Sequence, residues 1–227
     1  MSNLNTLIKK LNIKFTDDEL LHKVFIHRSY LNEHKGFKGE HNERLEFLGD
    51  AVLELIVTEF LYKKYPNPEG DLTNWRSAIV NGEMLAKIAK NLSIGDFMQL
   101  SKGEEKAGGK TKNIILANAF EALIGAIYLD QGYESAKKII YDQLLVELPK
   151  IIEDKLFIDS KSELQEHIQE KTGVTPVYKV IKESGPDHNK VFKIGVYIND
   201  KISGTGTGSS KQRAEQDAAL DALSKLS

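Results

Sequence analysis

His41-Asn42-Glu43-Arg44-Leu45-Glu46-Phe47-Leu48-Gly49-Asp50-Ala51-Val52-Leu53 is the most informative stretch of this 227-residue chain. It has the spacing of a helix, and the pattern extends from about Glu43 to Lys64 before Tyr65-Pro66-Asn67-Pro68 stops it. On that helix Glu43, Glu46 and Asp50 fall within a narrow arc. Leu45, Leu48, Val52, Leu53, Leu55 and Ile56 fill much of the remaining circumference. A helix apolar nearly all round is expected to be buried. Three aligned acids on such a helix repel one another and resist desolvation. A bound cation is the natural compensation, and hard oxygen ligands favour Mg²⁺ or Mn²⁺.

A second segment repeats the device. Ile114 to Ala126 is strongly apolar but carries Asn118 and Glu121 at i, i+3. If the two helices face each other, Glu46, Asp50, Asn118 and Glu121 converge on one metal. The plainer alternative pairs these acids with Arg44, Arg76 or solvent. That explains one acid pair well, but it explains poorly acids on two separate, otherwise greasy helices.

From Leu4 to about Leu156 the remaining segments also read as helices. One begins at Asp17-Asp18-Glu19 and continues to His27, and others cover 73–90, 111–130 and 133–148. Gly-rich breaks fall at 103–109 and at Gly132. Gly103 to Thr111 is a near miss for a phosphate loop, with the wrong glycine spacing and no preceding strand, so no nucleotide cofactor is expected. His27 and His41 read as structural, Trp75 as packing. There is no cysteine, no HExxH and no GxSxG, which removes disulfides, thiolate chemistry, zincin sites and serine hydrolases. The apolar run Ile114–Leu129 is interrupted and short for a membrane span, and the first residues do not read as a secretion signal. A soluble, cytoplasmic protein is the expectation.

After Phe157 the pattern changes. Ser160–Glu170 is helical, strands follow over Val177–Glu183, Val191–Asn199 and Lys201–Thr207, and Ser210–Leu226 closes the chain as a helix. Phe192, Ile194, Val196 and Ile198 share one strand face, and Asn199-Asp200 sits where a tight hairpin turns. Ala214, Ala218 and Ala222 form a small-residue stripe that lets the last helix pack closely on a sheet. The expected fold is an all-α domain over 1–150, a linker over 151–158, and a small α+β domain of order α-β-β-β-α over 159–227. Charge is nearly balanced, with 21 basic and 23 acidic residues in 1–155 and ten of each in 156–227. Binding to a polyanion must therefore rest on where charges sit rather than on their sum.

The segment HNERLEFLGDAVL closely resembles the defining motif of the bacterial ribonuclease III family. The resemblance extends to His27-Arg28-Ser29-Tyr30, Glu69-Gly70-Asp71, Gly103–Gly109 and Phe120–Gly125, over essentially the whole chain. It implies an endonuclease that cuts both strands of double-stranded RNA to 5′-phosphate and 3′-hydroxyl ends, in processing of ribosomal, messenger and other structured RNAs. It implies a homodimer with one catalytic valley per subunit. Acids at Glu43, Glu46, Asp50, Glu69 and Glu121 would belong to that valley, with Mg²⁺ (or Mn²⁺ as substitute) centred on Glu46, Asp50 and Glu121. The family normally carries an aspartate ligand where this chain has Asn118. A weakly cutting or purely RNA-binding protein is therefore the alternative reading.

The C-terminal module resembles a double-stranded RNA-binding domain. Gln165 and Glu166 fall on the helix that would touch one minor groove, and Pro186 and His188 fall in the loop that would enter a second. Ser210, Lys211 and Arg213 open the last helix, where N–H groups and positive charge would meet phosphates across the intervening groove.

Overall fold

A computed structural model describes residues 4–153, 160–186 and 190–226. The chain divides into two units, Met1–Phe157 and Ile158–Ser227. The first is helical: α1 (Leu4–Leu11), α2 (Asp18–Val24), α3 (Arg28–Glu33), α4 (Glu43–Lys64), α5 (Glu69–Ile79), α6 (Gly82–Asn91), α7 (Lys102–Lys106), α8 (Asn113–Gln143) and α9 (Leu148–Glu153).

Helices α4 and α8 form the spine. Their backbones touch at two glycines: a Cβ on Gly49 would lie 1.8 Å from the Glu121 carbonyl oxygen, and one on Gly125 would lie 2.3 Å from that of Leu45. No other residue fits at either position. Around this crossing Leu53, Ile56, Val57, Phe120, Leu123, Ile124 and Ile127 are fully buried. Helix α8 contains an 18-residue stretch apolar enough to cross a membrane, yet 61% of that stretch is buried inside this unit. It is a core helix.

Several boundaries differ from the sequence-based expectation, each for a local reason. Helix α2 stops at Val24 because His27 caps a new helix, its Nδ1 accepting the Ser29 N–H at 3.2 Å. The expected helix over 73–90 is two helices, since Asn81 leaves the helical conformation and its side chain accepts the Met84 N–H at 2.9 Å. Part of the expected loop at 103–109 is the short helix α7, capped by Ser101. Gly132 does break the long apolar helix, with φ +80°.

One expectation is wrong in a consequential way. Helix α4 is not buried all round, because Phe47, Leu55 and Tyr62 are 82%, 58% and 78% exposed. Hydrophobicity around its whole circumference therefore reflects two apolar faces, one in the core and one open.

The second unit runs α10 (Ser160–Thr172), β1 (Val177–Ser184), β2 (Val191–Ile198), β3 (Lys201–Gly208) and α11 (Lys211–Leu226). The three strands form an antiparallel sheet in the order β1-β2-β3. Asn199 and Asp200 turn the β2–β3 hairpin with φ of 50° and 61°, the left-handed pair a two-residue turn of this hand needs. The alanine stripe of α11 lies on glycines: added Cβ atoms on Gly204, Gly206 and Gly208 would come within 2.1–2.6 Å of α11 backbone. Leu164, Ile168, Ile194 and Val196 complete this small core. Asp217 and Asp221 accept the Thr207 and Thr205 N–H groups at 2.8 Å, which occupies two donors of β3.

Candidate active site and RNA-binding surface

The valley begins at a buried asparagine. Asn42 donates through Nδ2 to the Val24 carbonyl at 3.0 Å, and its N–H donates to the Ile26 carbonyl at 2.9 Å. Its own carbonyl accepts the N–H groups of Leu45 and Glu46, both at 2.9 Å, which fixes where α4 starts. From that start Glu43, Glu46 and Asp50 follow at i, i+3 and i+7. The glycine crossing then sets Glu121 of α8 beside them. Sequence reading found the acids but not Asn42, nor the pairing of Gly49 with Gly125 that joins the two helices.

The electrostatics show that these groups share one neighbourhood. Burial pushes the Glu121 carboxyl up to about 7, and the charges of Asp50 and Glu46 push in the same direction. Glu46 is also raised, chiefly by burial and then by Glu43 and Asp50. Asn118 offsets part of this by donating its amide N–H to the Glu46 carboxylate. Where a fourth carboxylate would add repulsion, this chain supplies a donor. Glu43, at the valley mouth, faces Arg28 at 3.5 Å and His41 at 3.8 Å.

Among the described residues no three acids or histidines are drawn close enough to hold a metal ion without side-chain movement. The donor chemistry nevertheless suits a hard divalent cation: three carboxylates on two helices, two of them with ionisation disfavoured by burial and by neighbouring carboxylates.

Glu69 is not part of this cluster. It opens α5, accepts from Thr73 Oγ1 at 3.0 Å, and lines a cavity of about 600 Å³ with Tyr62, Tyr65, Leu72 and Arg76. It is not among the charges that shift Glu46 or Glu121.

The residue range 17–148 fits the family described as "Ribonuclease-III-like". The chain belongs to the ribonuclease III family. Range 160–226 fits the "Double-stranded RNA binding motif". Ribonuclease 3 of Streptococcus pneumoniae is 47% identical over 227 residues, covering 99% of this chain and 97% of the relative. The nuclease domain of ribonuclease III from Campylobacter jejuni superposes with a TM-score of 0.60 at 44% identity, covering 65% of this chain and 99% of that domain. A second structure of that domain gives 0.58 and 46%, covering 65% of this chain and 95% of that one. This ribonuclease III family member is thus a ribonuclease, built as a helical nuclease domain followed by a double-stranded RNA-binding fold.

In the second unit Gln165 and Glu166 are exposed on α10, and Pro186 is exposed beyond β1. His188 lies outside the described residues. Ser210 caps α11, its Oγ accepting the Arg213 N–H at 3.2 Å. Lys211 lies 3.5 Å from Glu183 and 5.7 Å from the Phe192 ring centroid, while Arg213 donates to Ser209 at 3.3 Å.

Proposed function

We propose that this protein is a Mg²⁺-dependent endonuclease that cuts both strands of duplex RNA, leaving 5′-phosphate and 3′-hydroxyl ends. Its work is the processing of ribosomal and other structured RNAs in the cytoplasm. The observation that carries this reading is the acidic crossing of α4 and α8, where Glu121 reaches about 7 beside Glu46 and Asp50. Glu46, Asp50 and Glu121 would hold Mg²⁺, or Mn²⁺ in its place, with Asn118 offering its carbonyl oxygen. When bound, such a cation lowers the pKa of a coordinated water and stabilises charge on the scissile phosphate. Glu121 must release its proton to serve as a ligand, so the site is built to load near neutral pH. Glu43, held by Arg28 and His41, sets the mouth of the valley.

The nuclease domain is assigned to 1–150, the connection to 151–158 and the RNA-binding domain to 159–227. In the latter Gln165 and Glu166, the loop with Pro186 and His188, and Ser210, Lys211 and Arg213 take successive grooves and phosphates. A homodimer completes the enzyme. The exposed stripe Phe47, Leu55 and Tyr62 on α4 is a surface that water disfavours and that a two-fold can cover with itself. The same two-fold supplies Glu69, which one subunit holds away from its own valley. The Campylobacter jejuni structure is described as having a region involved in dimer formation.

A second reading draws on Asn118. With its amide donated to Glu46, metal affinity falls and RNA binding outlasts cleavage. One experiment decides between them: duplex RNA is incubated with the protein in Mg²⁺ or EDTA, beside Glu46→Gln. Mg²⁺-dependent cuts in both strands that vanish in Glu46→Gln establish the nuclease. An RNA that is bound but intact at saturating Mg²⁺ and Mn²⁺ establishes the binding protein.

A further inference from the structure

The loop 34–39 between α3 and α4 is folded around its own rings. Tyr30 stacks on His34 with centroids 3.8 Å apart and meets Phe37 edge-on at 5.7 Å. The Phe37 N–H donates to the His34 carbonyl at 2.8 Å, and His34 Nδ1 lies 2.9 Å from the Tyr30 carbonyl. Gly39 leaves room for the Phe37 ring, since a Cβ there would lie 2.4 Å from it and the ring would have to shift. The loop is anchored beside the valley, because Arg28 at the start of α3 faces Glu43 at the start of α4.

The cations in and around the loop divide into two groups. Lys23 and Arg44 are both engaged by Glu40. Lys35 and Lys38 are exposed and make no ion pair among the described residues. An acidic valley repels the phosphate backbone that it must approach, so the strand has to be held by positive charge at its margin. Lysines fixed on a preordered loop hold it with less ordering cost than lysines on a flexible one.

We propose that loop 34–39 is a duplex-RNA contact of the nuclease domain, in which Lys35 and Lys38 take backbone phosphates beside the valley. Tyr30, His34 and Phe37 act as positioning residues that hold the two lysines. The proposal rests on the reading of the valley as a site for duplex RNA. It adds a phosphate contact separate from the C-terminal module.

The test is equilibrium binding of full-length protein to duplex RNA in EDTA between 50 and 200 mM salt, with the RNA well beyond the roughly 16 bp one C-terminal module spans. Each phosphate contact contributes about 0.9 to the salt slope, so Lys35→Gln/Lys38→Gln should lower it by about 1.8. Over that fourfold salt range the parent should then lose about twelvefold more affinity than the variant. Gly39→Ala keeps every charge, displaces the Phe37 ring, and should weaken binding several-fold. A double variant that melts like the parent and keeps the parent's slope overturns the proposal, and leaves Lys35 and Lys38 to some other, acidic partner. A parent that binds the duplex but leaves it uncut with Mg²⁺ refutes the cleavage reading, while the slope still judges the loop.

Discussion

Replacing Glu121 with glutamine should stabilise the metal-free protein above neutral pH. The unfolded chain releases this proton near 4.5, whereas the folded protein keeps it to about 7. Between those values the folded state binds one more proton than the unfolded state, so stability falls as pH rises through that window. Below 4.5 both states are protonated, and above about 7 both are ionised, so the curve is flat on either side. At 1.36 kcal/mol per pKa unit the interval corresponds to about 3.4 kcal/mol for a fully desolvated group. Glu121 is only partly buried, and solvent screening reduces this to about 1–2 kcal/mol. Glu121→Gln keeps the shape and removes the charge, so its stability should fall less than the parent's from pH 5 to pH 8. In EDTA at pH 8 it should exceed the parent by that amount, a Tm difference of about 2–8 °C. Saturating Mg²⁺ should restore the parent at pH 8 and do little for the variant. Thermal melts across pH 5–9, with EDTA or Mg²⁺, read all of this. Parent and variant curves that run parallel would refute the premise that Glu121 is ionised at a cost beside Asp50 and Glu46.

Asn118→Asp should raise Mg²⁺ affinity and the Mg²⁺-dependent cleavage rate, within the 10–100-fold typical of changes around a metal, while duplex binding in EDTA stays the same. An Asp variant no faster across a full Mg²⁺ titration means that Asn118 faces no metal. Gly49→Ala should cost more than about 3 kcal/mol and lower the Tm sharply, because the new methyl meets the Glu121 carbonyl and α4 must move off α8. A variant with the parent's Tm would show that the two helices do not touch there. Deleting residues 158–227 should weaken duplex binding at physiological salt more than it slows cleavage at low salt; equal affinity with and without them would remove the second unit from RNA binding.

Most of the elements were legible in the order of residues alone. A period of 3.6 gives way to strand alternation after Val177, and that change follows from local geometry alone. The limits of α4, the break at Gly132, the hairpin at Asn199-Asp200 and the cap at Ser210 are likewise short-range effects of proline, glycine and polar side chains. The carboxylates were legible for the same reason: acids at i, i+3 and i+7 on an apolar helix conflict with burial whatever the surroundings. Tertiary structure decided which acids meet. Glu121 joins Glu46 and Asp50 because Gly49 and Gly125 let two backbones touch, a relation between residues some 70 positions apart that no periodicity encodes. It also separated Glu69 from the valley and left Phe47, Leu55 and Tyr62 in water, although the pattern of α4 pointed to burial on every side. A side chain's hydrophobicity states what it prefers to touch; only the packed neighbours determine whether this chain, or a second copy of it, supplies the contact.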